Sequence, residues 1–420
     1  MAALSDYDNE IASHSIFGDE RRFREVFARL RAEDPVHRTE AAGYAPFWAV
    51  TKHADIMEVE RQSDKFINRP MVFLMDQEEY AQRARETNGT MVYLRTLVAM
   101  DGTDHRAMRG LTQAWFMPQN IRRLDSLVRE RARELVDRMM QHDGRVDFAN
   151  EIAPWYPLRV VMSLIGMPEE KHPELLELTQ ALLAPQDEKM KQLGAANAND
   201  AKKQVFGAFA KHFQEIIAAR KAEPRDDLAT LLVQATIDGQ PLPPSDLLGY
   251  FLILSTAGHD TTSFALSGGM LALLQHPEQL ARLRREPQLV PQAVEEILRW
   301  TTPVRHFMRT ATEDYVLKGK PVKAGETLMM CYPSANFDED VFPDATQFRI
   351  DRTPNRHIAF GFGVHACLGQ HLSRMELKAF LEEFLRRVPQ VDIDEAPSLV
   401  PSNQVSGPKH LKLRYEVLPA

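Results

Sequence analysis

The chain has 420 residues, 44% hydrophobic and 26% charged, with a formal net charge of −8 at pH 7. An acidic balance argues against general affinity for nucleic acid. Two cysteines in unlike contexts, Cys331 and Cys367, do not make a disulfide framework.

Proline and glycine are scattered along the chain rather than gathered into a linker, so one domain over residues 1–420 is expected. The N-terminus is polar and acidic, with no apolar leader, which points to a reducing, cytoplasmic, soluble protein. Asp19 to Arg31 is charged and amphipathic, as a surface helix should be. Phe47–Val50 reads as a short strand and Ala54 to Arg61 as a helix. Residues 69–100 mix Met, Phe, Tyr and Leu with polar residues at no clean period, which predicts a long irregular loop with helical turns. His105 to Phe116, Ile121 to Gln141 and Pro157 to Ile165 read as helices, and the polar stretch 186–201 as a mobile connection. Leu247 to Leu274 carries few charges. Its unbroken apolar run ends at Ala257, about eleven residues in, where a membrane span needs about twenty. A long helix through the interior is expected instead, opened by Ser245 after Pro243 and Pro244. Strand signals follow at Tyr315–Leu317, Thr327–Tyr332 and Leu411–Val417. The elements predict a mainly α fold with small β-sheets.

The run Phe360-Gly-Phe-Gly-Val-His-Ala-Cys-Leu-Gly369 is the most informative segment. It fixes one thiol, Cys367, in a glycine-spaced loop. Gly361, Gly363 and Gly369 allow tight turns and close approach to a flat ligand. Leu368, Leu372, Met375, Phe380, Leu381, Phe384 and Leu385 then recur at helical spacing until Pro389. Cys367 should therefore sit at a helix N-terminus, which favours thiolate over thiol. The bland alternative for any cysteine is a small buried hydrophobe, and Cys331, in a core strand, is read that way. Ala257-Gly-His-Asp-Thr-Thr262 interrupts the apolar helix with a carboxylate and hydroxyls, which a purely structural helix would avoid. The alternative there is a back-bonded Thr261 and a satisfied buried Asp260. Glu296 and Arg299, three apart, can pair on one helix face.

The glycine-spaced run resembles the cysteine-ligand loop of the cytochrome P450 family at Phe360, Gly361, Gly363, His365, Cys367 and Gly369. The resemblance covers nearly the whole chain. It implies many helices around haem b (iron protoporphyrin IX), with Cys367 as axial ligand of the haem iron and Phe360, Gly361 and Ala257 against the cofactor. His105, Arg109, Arg309 and His365 match positions that bind the haem propionates. Asp260 and Thr261 match the family's acid–alcohol pair, in which the hydroxyl donates a proton and the carboxylate relays protons from solvent. A helix widened at Gly258 would leave room for dioxygen and water. His259 has no matching role; a local hydrogen bond is expected of it. Glu296 and Arg299, with Arg352, match a structural network. Ala257-Gly-His-Asp-Thr-Thr-Ser263, Phe307-Met-Arg-Thr310, Tyr332-Pro-Ser-Ala-Asn336, Pro354-Asn-Arg-His357 and Cys367-Leu-Gly-Gln-His371 are similar to the terpineol-hydroxylating branch.

That likeness implies a monooxygenase that hydroxylates a small monoterpene or alkyl-aromatic with dioxygen. By register with the family, Thr96, Leu97, Val98, Ile253, Thr256, Val304, Phe307 and Val405 should line the substrate cavity. No flavin or dinucleotide fingerprint appears, so electrons should come from an iron–sulfur ferredoxin and its reductase, docked on a patch formed by Arg106, Arg109, Arg374 and Lys378. A monomer with no membrane partner is expected. Two other readings are a peroxygenase and a haem-based sensor. A peroxide-driven peroxygenase would lack the Asp260–Thr261 pair, and a haem-based sensor would need neither proton relay nor electron delivery.

Overall fold

The computed structural model describes residues 3–183, 198–416 and 418. Among the described residues helices dominate, with five small sheets beside them. The predicted connection at 186–201 falls mostly outside the described residues, although Ala198 already begins a helix that runs to Ala222.

The main core forms where the helices Asp125–Met140, Trp155–Leu164, Asp260–Gln275, Val290–Thr301 and Gln370–Arg387 pack together. Each brings an apolar stripe at helical spacing, such as Val128, Ala132, Leu135, Val136 and Met139 on the first. The interior helix differs from the prediction in two ways. It opens at Pro244, not Ser245, because proline is pre-set for the first turn and needs no N–H there. Ser245 Oγ turns to Asp246 instead (3.4 Å). The helix is also not continuous. Pro244–Ala257 ends at Gly258, and a second helix, Asp260–Gln275, starts after His259. Gly258 does not simply widen it: a Cβ there would come within 2.7 Å of Val161 Cγ2, so the glycine makes room for the neighbouring helix.

The largest sheet has five strands in the order Val36–Thr39, Phe47–Val50, Thr327–Cys331, His306–Ala311, Phe66–Ile67. Phe47–Val50 runs parallel to Thr327–Cys331, and the other pairs are antiparallel. Side chains alternate along a strand, so Phe307 and Arg309 share one face of His306–Ala311 while Met308 enters the core below. Cys331 is 2% exposed, and burial pushes its thiol far up, as an inert core residue requires.

The stretch 69–100 is not wholly irregular. Gln77–Glu86 is a helix, capped by Asp76 accepting from the Glu79 N–H (2.7 Å). None of its side chains is buried, so it carries no apolar period to read. Leu97–Ala99 adds a helical turn, and elsewhere the stretch is held by Met308 N–H donating to Val72 O (2.8 Å) and Leu74 N–H donating to His306 Nε2 (2.8 Å).

Glu296, Arg299 and Arg352 lock the region after the sheet. Glu296 and Arg299 are 0% exposed and Arg352 5%. Arg299 pairs with Glu296 through two bonds (2.7 and 2.8 Å), and Arg352 Nε adds a third (3.0 Å). The guanidinium groups also donate to the carbonyls of Asn336, Ala345, Pro343 and Gln347, so the network holds the winding segment 336–352.

Candidate active site around Cys367

Gly361 and Gly363 take φ of 68° and 70°, values that only glycine adopts freely. A Cβ on Gly363 would also fall 2.6 Å from Glu60 O. The turn they make lets the Cys367 N–H donate to Phe360 O (2.8 Å), which fixes the sulfur. The helix expected to begin at the cysteine begins later, at Gln370. The intervening Leu368-Gly369 is still in turn geometry, so the sulfur meets the Gly369 N–H rather than the helix end itself. Cys367 keeps accessible surface, yet burial raises its thiol above the usual range. The Gly369 N–H and the charges of Arg109 and Arg374 pull the other way.

Four basic side chains converge beside this loop. His105 and His365 lie with ring centroids 4.0 Å apart. Burial first, then Arg109, pushes His105 down to about 4. Burial, His105, Arg309 and Arg109 push His365 down to about 3. Arg109 Nη2 donates to Ala366 O (2.8 Å), and Asn68 Nδ2 donates to His365 Nε2 (2.8 Å). Arg309 is not free: it pairs with Glu60 (2.8 Å), which also accepts from Tyr332 Oη (2.6 Å). Glu60 is buried, its second oxygen has no hydrogen-bond partner among the described residues, and burial raises its carboxyl despite Arg309. Glu60 pairs with Arg309 alone of the four, and Asp101 acts on His105, so the cluster as a whole remains suited to further anionic oxygens. With a sulfur presented beside them, the donor set fits haem: Cys367 would supply a soft ligand to the iron and the basic groups would hold two propionates.

Glu60 was missed in the sequence because a lone glutamate at the end of an amphipathic helix reads as a solvated group. Phe73 was missed too. It packs on Phe307, ring centroids 5.1 Å apart, but lies in a stretch without period.

The acid–alcohol segment sits at the helix break. Ala257 is exposed although Ser255 and His259, on either side, are 0% exposed, so the helix presents an open edge there. Thr261 Oγ1 donates back to Ala257 O (2.8 Å) and Thr256 Oγ1 to Leu252 O (2.9 Å). Asp260 is 7% exposed, and its Oδ2 has no hydrogen-bond partner among the described residues. It is buried but not satisfied. Of the expected cavity residues, Thr96, Val98, Ile253, Thr256, Val304, Phe307 and Val405 all keep partial exposure, while Leu97 is buried in the main core. Val304 and Val405 pair directly in an isolated bridge.

The predicted basic patch is mostly spent on internal pairs. Arg374 bonds Glu295 (2.7 and 3.0 Å) and covers the Phe360 ring at 4.6 Å, and Lys378 lies 3.8 Å from Glu382. With Arg109 turned to Ala366, Arg106 alone of the four is exposed with no side-chain pair among the described residues.

Glu295 also accepts from His357 (3.0 Å). Its carboxyl drops from about 4.5 to about 2: burial opposes the shift, and the bonds from His357 and Arg374 outweigh it. The stabilisation is complete above about 4.5 and disappears as pH falls toward 2. Glu295→Gln should therefore lower the urea midpoint at neutral pH and leave it unchanged near pH 2. An equal loss at both pH values would show that charge is not what Glu295 contributes.

Residues 39–393 match the family profile described as Cytochrome P450. The chain is 38% identical to "Cytochrome P450-terp" of a Pseudomonas species, covering 95% of each protein. It is 34% identical to a "Steroid C26-monooxygenase" of Mycolicibacterium smegmatis over 93% of this chain and 92% of that one. Among solved structures, CYP108D1 from Novosphingobium aromaticivorans superposes with a TM-score of 0.91 at 36% identity, covering 99% of both chains. The chain belongs to the cytochrome P450 family. It is an oxidoreductase of the monooxygenase class, and its cofactor is haem b. Among the described residues, no helix is long and apolar enough to cross a membrane.

Proposed function

We propose that Cys367 is the axial haem ligand and that the enzyme hydroxylates a compact hydrocarbon of the monoterpene or alkyl-aromatic class. The observation that carries the ligand assignment is the convergence of His105, Arg109, Arg309 and His365 on the Cys367 loop. Bound haem supplies the oxygen-activating redox chemistry, which the thiolate promotes. The chain's own residues do the rest. Phe307, Val304 and Val405, with Phe73 beside them, form an apolar wall that orients the ligand and excludes water. The Thr261 proton is engaged with Ala257 O, so its oxygen accepts from a bound water or hydroxyl, and a rotation turns it into a donor. Asp260 passes protons to it from solvent. An iron–sulfur ferredoxin docks near Arg106, and the 420 residues act as one domain.

The substrate class rests on likeness to the Pseudomonas protein and on the apolar, half-buried wall residues. The steroid-oxidising relative favours a second reading, a larger polycyclic ligand. Spin-state titrations with terpineol- or cymene-sized compounds, a steroid and a long-chain fatty acid decide between them. Tight binding of the compact ligands supports the proposal. A shift with the steroid or the fatty acid alone overturns the substrate class and leaves the monooxygenase standing. Phe307→Ala should weaken compact ligands by roughly ten-fold, equivalent to about 1.4 kcal/mol of lost contact, and improve bulkier ones.

Thr261→Ala should leave ligand binding intact and uncouple the reaction. Positioned proton donors contribute about 10²–10⁴-fold. Reductant use should continue, while organic product per reductant falls and peroxide or water rises. Unchanged coupling would assign proton delivery elsewhere, for instance to Thr262.

A further inference from the structure

His259 stands at the break of the interior helix, fully buried, between the open edge at Ala257 and the carboxylate of Asp260. Its Nε2 lies 2.9 Å from Pro154 O. A carbonyl oxygen only accepts, so Nε2 carries a hydrogen. In a neutral ring, Nδ1 is then a bare lone pair. That atom lies 3.1 Å from Asp260 Oδ1. A bare nitrogen and a carboxylate oxygen at that distance repel, and a proton shared between them would remove the repulsion. Among the described residues, neither Nδ1 nor Asp260 Oδ2 has a well-formed hydrogen-bond partner. Among the described residues, no other titratable side chain bonds to either of them.

We propose that His259 and Asp260 form one proton-holding unit, in which His259 is the positioning residue that fixes the orientation and charge of Asp260. Pro154 anchors the ring through Nε2–H, and the ring fixes Oδ1. Oδ2 is left free to serve Thr261, the next residue. The unit gives up one proton through Asp260 and takes one back from water at the slightly exposed edge of the carboxylate, and only N–H and O–H bonds change. The role in turnover rests on the proton-delivery reading above; the shared proton itself does not.

The full-length, haem-loaded enzyme with ¹⁵N-labelled histidine, in its diamagnetic carbon monoxide complex, provides the test. His259→Phe identifies the His259 resonances. In the wild type, Nδ1 should show the shift of a protonated or strongly hydrogen-bonded nitrogen. Asp260→Ala should return it to a bare acceptor while Nε2 stays protonated. A wild-type Nδ1 that is already bare, or one indifferent to Asp260→Ala, overturns the unit. In turnover, His259→Phe and His259→Gln should each lower product per reductant and raise the solvent isotope effect as Asp260→Asn does. The His259→Phe/Asp260→Asn double variant should be no worse than the single ones. Additive losses overturn the proposal, with ligand-induced spin shifts checking that each variant is folded. If Asp260→Asn leaves turnover unchanged while Nδ1 still responds to Asp260→Ala, the relay fails and the pair stands as structure only.

Discussion

Cys367→Ser is expected to abolish the red-shifted absorption that the carbon monoxide complex owes to a thiolate ligand, and hydroxylation with it. A thiolate pushes electron density onto the iron; a serine hydroxyl stays protonated and cannot. The loop itself should survive, because its anchor is the backbone bond from the Cys367 N–H to Phe360 O and its turns come from Gly361 and Gly363. The variant should therefore still take up haem in the proposed cradle of His105, Arg109, Arg309 and His365, with the spectrum of an oxygen- or nitrogen-ligated haem. Persistence of the red-shifted band would mean that another group binds the iron, and the site would have to be redrawn.

The second large effect is on stability. Glu296→Gln should destabilise the protein by about 3–5 kcal/mol, because it leaves two buried guanidinium groups without their shared countercharge. Replacing the whole network with apolar residues would be mild in a simple buried pair. It should not be mild here. Arg299 and Arg352 also satisfy carbonyls along 336–352, and each buried carbonyl left without a donor costs about 1–3 kcal/mol. Chemical denaturation of the two variants distinguishes a charge network from a staple for that segment: a full recovery in the apolar variant would assign the network to charge alone.

What the sequence made legible follows from how local each signal is. The Cys367 loop, the Glu296–Arg299 pair and the Asp260–Thr261 pair are each written within a few residues, so residue order alone disclosed them. Arg352 could be named only through the family likeness, since nothing in the segment 348–352 points to Glu296. The helix break at Gly258–His259 left no apolar-period signature, because the segments on both sides are apolar all round. The helix Gln77–Glu86 was lost for the opposite reason, having no buried face. Glu60 and Phe73 owe their importance to partners far along the chain, Arg309 and Phe307, which local spacing does not reveal.

The loop at 91–100 has a further consequence. Gly249 of the interior helix lies so close to it that any Cβ at that position would overlap the Arg95 carbonyl oxygen. Helix and loop thus meet along a seam of backbone atoms, and a seam of that kind cannot be tuned one methyl group at a time. Any residue but glycine at 249 displaces the whole loop. In an evolving lineage, ligand range can drift gradually through Phe307, Val304 and Phe73, whose volumes vary in small steps. Change along the Gly249 seam comes only in jumps.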